Sequence, residues 1–163
     1  MNNDISCSEY LHKILGVKFS PAPYFELEQE YELHKKIREL ISKELIQSAH
    51  DISEGGAFTA LCEAGFNREL GFSIITKDNL RKDAFLFGEA QGRVIVSVSL
   101  NYVKKFEAAL TGFPYEKIGV VSSGEIVVDG EFWGTIDWWK EKYDTAIENY
   151  LRKEDAGSAL STI

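Results

Sequence analysis

The stretch Arg93-Val94-Ile95-Val96-Ser97-Val98-Ser99-Leu100-Asn101-Tyr102-Val103-Lys104-Lys105-Phe106-Glu107-Ala108-Ala109-Leu110 changes its hydrophobic period partway along. Up to Leu100, the residues Val94, Val96, Val98 and Leu100 alternate with Ile95, Ser97 and Ser99, which is the two-residue period of a strand with one wholly apolar face. Beyond Asn101, which can cap a helix, Val103, Phe106, Ala109 and Leu110 recur at three- and four-residue steps until Gly112 and Pro114 stop the pattern. A strand that feeds directly into a helix points to the α+β class. Further on, residues 118–121 and 125–128 read as strands, and Asp129-Gly130 between Ile126-Val127-Val128 and Phe132-Trp133 is a two-residue hairpin signal. Residues 137–152, with Trp138, Trp139, Tyr143, Ala146, Ile147 and Tyr150, predict a last helix, and 153–163 a polar, frayed tail.

On the N-terminal side, Tyr10, Leu11, Ile14 and Leu15 space a short helix that Ser6 or Ser8 caps and Gly16 ends. Residues 17–24 carry Pro21 and Pro23 and read as an extended linker. From 26 to 46, Leu27, Tyr31, Leu33, Ile37, Leu40, Ile41 and Leu45 predict an amphipathic helix. Ala57-Phe58-Thr59-Ala60-Leu61-Cys62-Glu63-Ala64-Gly65 predicts a helix whose small residues pack closely on a sheet, closed by Gly65. Residues 72–76 are a candidate strand, and 77–82 a charged turn or helix start. Mixed strands, several helices and one hairpin together predict a three-layer α/β/α domain with a mixed sheet.

Composition narrows the function classes. The chain has 163 residues, 44% of them apolar, which is enough to bury a core without disulfides or a structural metal. Cys7 and Cys62 form no Cys-x-x-Cys or Cys/His cluster, so they read as reduced cytosolic thiols. His12 and His34 have no partner at ligand spacing. No apolar run approaches the roughly 20 residues of a membrane span. With 18 Lys+Arg against 26 Asp+Glu the formal charge is -8. Such a surface repels a polyphosphate backbone, and no basic run offsets it, so nucleic acid is not a partner. A cytoplasmic location and an absence of membrane contact follow as expectations.

Two segments carry the candidate chemistry. His50-Asp51-Ile52-Ser53-Glu54-Gly55-Gly56 collects an imidazole, two carboxylates, a hydroxyl and two glycines at the mouth of a predicted helix. Glycines there let backbone N–H groups approach an anion, provided that a divalent cation or a basic residue offsets Asp51 and Glu54. Equally, Asp51 or Ser53 caps the helix and the glycines only permit a tight turn. In Leu86-Phe87-Gly88-Glu89-Ala90-Gln91-Gly92-Arg93, an extended chain puts Glu89, Gln91 and Arg93 in one row facing a ligand. The alternative is an internal Glu89–Arg93 ion pair. Neither segment holds an activated nucleophile or a metal-ligand motif, so no catalytic and no metal-ligating residue is assigned.

Together these two segments resemble the His-Asp-Val-Ser-Asp-Gly-Gly and Leu-Phe-(Gly/Ser)-Glu-Ser-Gln-x-Arg motifs of the phosphoribosylformylglycinamidine synthase family, in the same order and followed by the same strand. Ser8-Glu9-Tyr10-Leu11, the Ile118-Gly119 step and the tryptophan-bearing last helix extend the resemblance over nearly the whole chain. It belongs to a wider superfamily that includes aminoimidazole ribonucleotide synthetase. The resemblance implies residues 1–24 as a short helix and linker from a preceding domain, 25–152 as a synthetase C-terminal-type domain, and 153–163 as a tail. It further implies an ATP-dependent ligase that amidates formylglycinamide ribonucleotide in purine biosynthesis. In that family, ATP activates the amide oxygen as an iminophosphate that glutamine-derived ammonia displaces. Mg²⁺ and ATP serve the full enzyme, and this chain alone is expected to bind neither tightly and to be inactive.

The family's catalytic His and principal metal carboxylates lie in other domains. Here Glu54 stands in place of Asp, and Ala90 in place of a Ser hydroxyl. His50, Asp51, Ser53, Glu54, Gly55, Gly56, Glu89, Gln91 and Arg93 are therefore expected to wall a nucleotide or substrate cleft. The implied partners are the remaining domains of the same subunit, and glutaminase and small bridging subunits. Two other functions are consistent with the sequence: a stand-alone interaction module that homodimerises through the valine row at 94, 96 and 98, and another ATP-using member of the superfamily.

Overall fold

The computed structural model describes residues 5–76 and 80–158, and of residues 153–158 only the backbone. The acidic first turn of helix α1 (Leu27–Ser42), with Glu28 and Glu30, suits the positive end of the helix dipole. The helix stops before the expected position 46 because Glu44 takes a left-handed φ of 53°. That turn, closed by the Leu45 N–H on the Leu40 carbonyl at 3.0 Å, swings Leu45 into the core. The residues before it, 17–26, form no regular element, as their prolines dictate. The short N-terminal helix is a π-helix turn, Tyr10–Ile14, in which the buried Ser8 hydroxyl accepts from the Leu11 N–H at 3.2 Å.

Among the described residues, six strands form two sheets. Strand β1 (Ser48–Asp51) pairs antiparallel with β3 (Val94–Ser97). The second sheet has the order β4-β2-β5-β6, made of β2 (Gly71–Ile74), β4 (Gly119–Ser122), β5 (Glu125–Val128) and β6 (Glu131–Thr135). The β2–β5 pair is parallel and the other two pairs are antiparallel, so this sheet is mixed as the sequence predicts. The hairpin between β5 and β6 turns on Asp129 (φ 53°) and Gly130 (φ 79°), the left-handed pair that Asp-Gly favours.

Helix α2 (Gly56–Phe66) lies between the sheets, packing on β1 and β3 and also on β2. With α3 (Lys82–Phe87) and α5 (Ile136–Asp144) it closes the larger core: Phe58 and Cys62 of α2 meet Phe72, Ile74, Phe85, Leu86, Ile126, Val128 and Ile136. Gly65 does not end α2. It sits inside the helix, buried, where a Cβ would strike the Leu70 carbonyl, so its role is close approach.

A smaller core joins Leu40 and Leu45 to Phe106 and Leu110 around α4 (Val103–Ala109), with Val96 and Val98 packed against it. The sheet β1–β3 thus has α1 and α4 on one face and α2 on the other, an α/β/α sandwich. Of the valine row expected to drive homodimerisation, Val96 and Val98 are half-buried against this smaller core of their own chain. β3 is shorter than its apolar run, since β1 offers four residues to pair with. Asn101 caps nothing. It lies in a 3-10 turn, Leu100–Tyr102, closed by the Tyr102 N–H on the Ser99 carbonyl at 2.8 Å.

The last predicted helix divides at Thr145 into α5 and α6 (Ala146–Ser158). Thr145 Oγ1 donates back to the Glu141 carbonyl at 2.7 Å, competing for the helix's own acceptor. Residues 77–79 of the charged turn and 159–163 of the tail lie outside the described residues. Among the described residues, no helix is long and apolar enough to cross a membrane.

Candidate functional site

The two motifs are 30 or more residues apart in sequence and meet in space. His50 and Asp51 close β1, whose partner β3 begins just after Arg93. The Ile52 N–H donates to the Arg93 carbonyl at 3.0 Å, one step beyond the ladder. From there the chain turns through Ser53 and Glu54 into α2, and the last residues of α3 pass beneath that turn.

The glycines are explained by this crossing. Gly55 has φ 81° and Gly56 φ 73°, both left-handed. A Cβ on Gly56 would come within 2.6 Å of the Leu86 carbonyl oxygen and of Phe87 Cα, and one on Gly55 would strike the Thr59 side chain. Neither Asp51 nor Ser53 caps α2 with its side chain, contrary to one of the two readings: Gly55 is the N-cap residue and has no side-chain cap. The Gly56 N–H instead donates to the backbone carbonyl of Ser53 at 3.1 Å.

Glu89 supplies the missing acceptor. Its Oε1 accepts from the Gly55 N–H at 2.9 Å and from the Glu9 N–H at 2.8 Å, so one carboxylate oxygen ties the motif turn to the N-terminal segment. Beside it the Tyr10 and Phe87 rings stack, with centroids 4.9 Å apart. Glu89 and Arg93 do not pair. The Arg93 guanidinium donates from Nη1 to the Gly88 carbonyl at 2.9 Å and from Nη2 to the Phe85 carbonyl at 3.0 Å, closing the C-terminal end of α3. Its Nε is buried without a partner, and burial holds the guanidinium below its ordinary pKa. The expected row of Glu89, Gln91 and Arg93 does not form, because Gly92 is left-handed (φ 75°) and breaks the two-residue alternation.

His50 is also engaged within the chain. Its Nδ1 lies 2.7 Å from the Asp51 carbonyl oxygen, which can only accept, so Nδ1 is the donor. The other nitrogen, Nε2, faces Glu63 Oε2 of α2 at 3.4 Å. Glu63 in turn bonds Tyr143 of α5 and raises that phenol above its ordinary value through this hydrogen bond and its charge. The Glu9, Glu63 and Tyr143 contributions were absent from the sequence reading: they arrive from other elements with no shared spacing. What remains at the surface of the motif is a rim of Asp51, Ser53, Glu54 and Gln91, all exposed.

This rim is acidic and hydroxylic. Among the described residues, no three His, Cys, Asp or Glu side chains converge to hold a metal ion. The nearby cation, Arg93, already serves two carbonyls. The residues therefore do not form a cradle for a metal-bound triphosphate by themselves. A surface depression of about 670 Å³ beside the start of β1 is lined by Ile41, Glu44, Ile46, Ser48, Ala49 and Tyr102, with none of the motif residues in its wall.

Residues 8–130 match the family described as AIR synthase related protein, C-terminal domain. A relative from Caldanaerobacter subterraneus subsp. tengcongensis, phosphoribosylformylglycinamidine synthase subunit PurL, is 38% identical over 128 residues, covering 77% of this chain and 18% of the relative. Two solved structures share the fold. T. maritima PurL complexed with FGAR has a TM-score of 0.63 and 15% identity, covering 76% of this chain and 23% of that one. T. maritima PurL complexed with ATP has a TM-score of 0.55 and 15% identity, covering 64% and 20%. The chain thus spans about a fifth of the length of its relatives.

Proposed function

From the premise that this chain belongs to the family of AIR synthase related C-terminal domains, we propose that it is the C-terminal domain of a phosphoribosylformylglycinamidine synthase. The observation that carries this reading is the meeting of the two motifs: Glu89 of the second holds the Gly55 turn of the first. The remaining four-fifths of the relatives' length then carries the reacting groups.

On this reading the whole enzyme is a cytosolic ligase that forms a C–N bond on formylglycinamide ribonucleotide, with ATP, Mg²⁺ and glutamine-derived ammonia. Its partners are the other domains of the subunit together with glutaminase and small bridging subunits. Residues 25–152 form the domain proper, and 1–24 reach it from a preceding one. Within it the nine motif residues separate by task. His50, Gly55, Gly56, Glu89 and Arg93 shape the turn, whereas Asp51, Ser53, Glu54 and Gln91 face the cleft. When bound, ATP supplies the activation of the amide oxygen. This chain walls the cleft and holds no reacting group of its own.

The test pairs this chain with a PurL relative from which the matched segment has been deleted, and follows phosphate release with formylglycinamide ribonucleotide, Mg·ATP and ammonium. The chain alone is expected to stay at background, and the pair to recover turnover. Turnover by the chain alone overturns the assignment of an inert wall, and a bound pair without turnover overturns the synthase reading.

A further inference from the structure

We propose that His50 and Glu63 form a proton-operated latch that fastens the motif strand β1 to α2, closed while the imidazole carries both ring protons and open once Nε2 has lost its own. Two oxygens that can only accept face this ring. Nδ1 lies 2.7 Å from the Asp51 carbonyl oxygen, and Nε2 lies 3.4 Å from Glu63 Oε2. A neutral imidazole holds one N–H and can satisfy one of them. The nearer oxygen, that of Asp51, claims this proton, which leaves the Nε2 lone pair against a carboxylate. A second proton turns that repulsive contact into an ion pair.

The surroundings hold the pair in place. Val96 packs on the smaller core, so the adjacent Ile95 and its cross-strand partner His50 share the opposite face of the sheet, toward α2. Ile95 is apolar and does not compete for the ring. His50 and Glu63 are each 29% exposed, which limits screening of their charges. Behind Glu63, the Tyr143 phenol of α5 bonds the carboxylate, and its ring meets Phe66 of α2 with centroids 5.2 Å apart. The neighbouring charges are engaged or solvated: Arg93 serves the carbonyls of Phe85 and Gly88, Asp144 pairs with Lys140, and Asp51 is exposed. Cys62, beside Glu63 on α2, stays a thiol through the neutral range because burial pushes it up to about 12.

The latch bears on the cleft rim through Asp51. Nδ1 holds the carbonyl of this rim residue, and the next residue, Ile52, donates its N–H to the Arg93 carbonyl at 3.0 Å. Closed, the latch ties the end of β1 to α2 and, through Tyr143, to α5. Open, the strand end rests on its ladder to β3. Both groups belong to this chain, so the latch operates whatever the rest of the enzyme supplies.

Long-range proton–nitrogen NMR on the 163-residue chain reads the ring directly, with His50→Gln identifying its signals among those of three histidines. At about pH 8, above the ordinary histidine range, the neutral ring is expected to carry its proton on Nδ1. A proton on Nε2 instead overturns the latch, because the Asp51 carbonyl then has no claim on the ring. Urea unfolding of wild type, His50→Gln, Glu63→Gln and the double variant measures the coupling of the two side chains at about pH 5.5 and about pH 8. The coupling is expected to favour the folded state by about threefold at the lower pH and by less than about 1.5-fold at the higher. Equal coupling at the two pH values overturns the proton dependence, and no coupling at either overturns the latch itself. The tautomer is read on the wild-type chain, so that outcome decides even where a variant fails to fold.

Discussion

Gly56 and Gly16 share a left-handed backbone, with φ of 73° and 70°, and differ in what surrounds them. Alanine at Gly16 meets nothing within 4 Å, so only the conformational cost of about 1 kcal/mol is expected. Alanine at Gly56 adds a clash with the backbone of Leu86 and Phe87 and is expected to cost roughly 3 kcal/mol or more. Urea unfolding of the two variants decides it, and equal costs would show that α2 and α3 do not cross this closely. The cysteines divide in the same way. Cys7 is exposed and Cys62 buried, so a thiol reagent is expected to titrate one equivalent in the native protein and the second only in denaturant. Burial first, and the Glu63 charge second, push the Cys62 thiol up to about 12 from an ordinary 9.0. A raised folded pKa means that its contribution is whole below pH 9 and is lost as pH rises from there toward 12. Cys62→Ala is expected to flatten that alkaline decline.

Among the elements, the β5–β6 hairpin is fastened at its turn by Asp129. Asp129 accepts from the Thr76 N–H at 2.6 Å and the Thr76 hydroxyl at 2.8 Å, and pairs with Lys82 Nζ at 3.0 Å, joining the hairpin to the end of β2 and the start of α3. Burial raises its pKa, but the Thr76 and Lys82 hydrogen bonds outweigh this and hold the carboxyl below the ordinary range. Asp129→Ala is expected to cost about 1–3 kcal/mol by thermal unfolding. With a lowered folded pKa, the stabilisation is present above the ordinary carboxylate value and is lost as pH falls below it. Asp129→Asn keeps the turn and is expected to show a shallower acid decline; an unchanged acid limb would mean the carboxylate contributes no charge. The turn itself was legible, since Asp-Gly between apolar runs specifies it locally. Its fastening to Thr76 was not, because that bond spans 53 positions. The end of α1 and the break at Thr145 were misplaced for a related reason: apolar spacing continues past both, while backbone hydrogen bonds end the elements.

In the molecule as a whole, α2 belongs to the larger core and also packs on β1 and β3, whose Val96 lies against the smaller one. Leu40, 1% exposed in the smaller core, is expected to lose about 2–5 kcal/mol on substitution by alanine. Trp133 and Trp139 report on the larger core, so their fluorescence and far-ultraviolet dichroism should move together to lower urea. Separate transitions would show two independently folding halves.

The family resemblance is carried by His50–Gly56 and Leu86–Arg93, and the family match over residues 8–130 bears it out. The α+β class, the mixed sheet and the hairpin were equally readable, because period and turn chemistry are local. Tertiary structure alone decided what the motif residues do. Glu89 was expected beside Arg93 and instead serves Glu9 and Gly55, and Arg93 serves the carbonyls that end α3. Val96 and Val98 of the valine row, read as a face without a partner, are packed against the core that α1 and α4 build. Sequence spacing specifies which residues share a face of one element; which element covers that face, and which distant N–H claims a carboxylate, is fixed only when the elements pack.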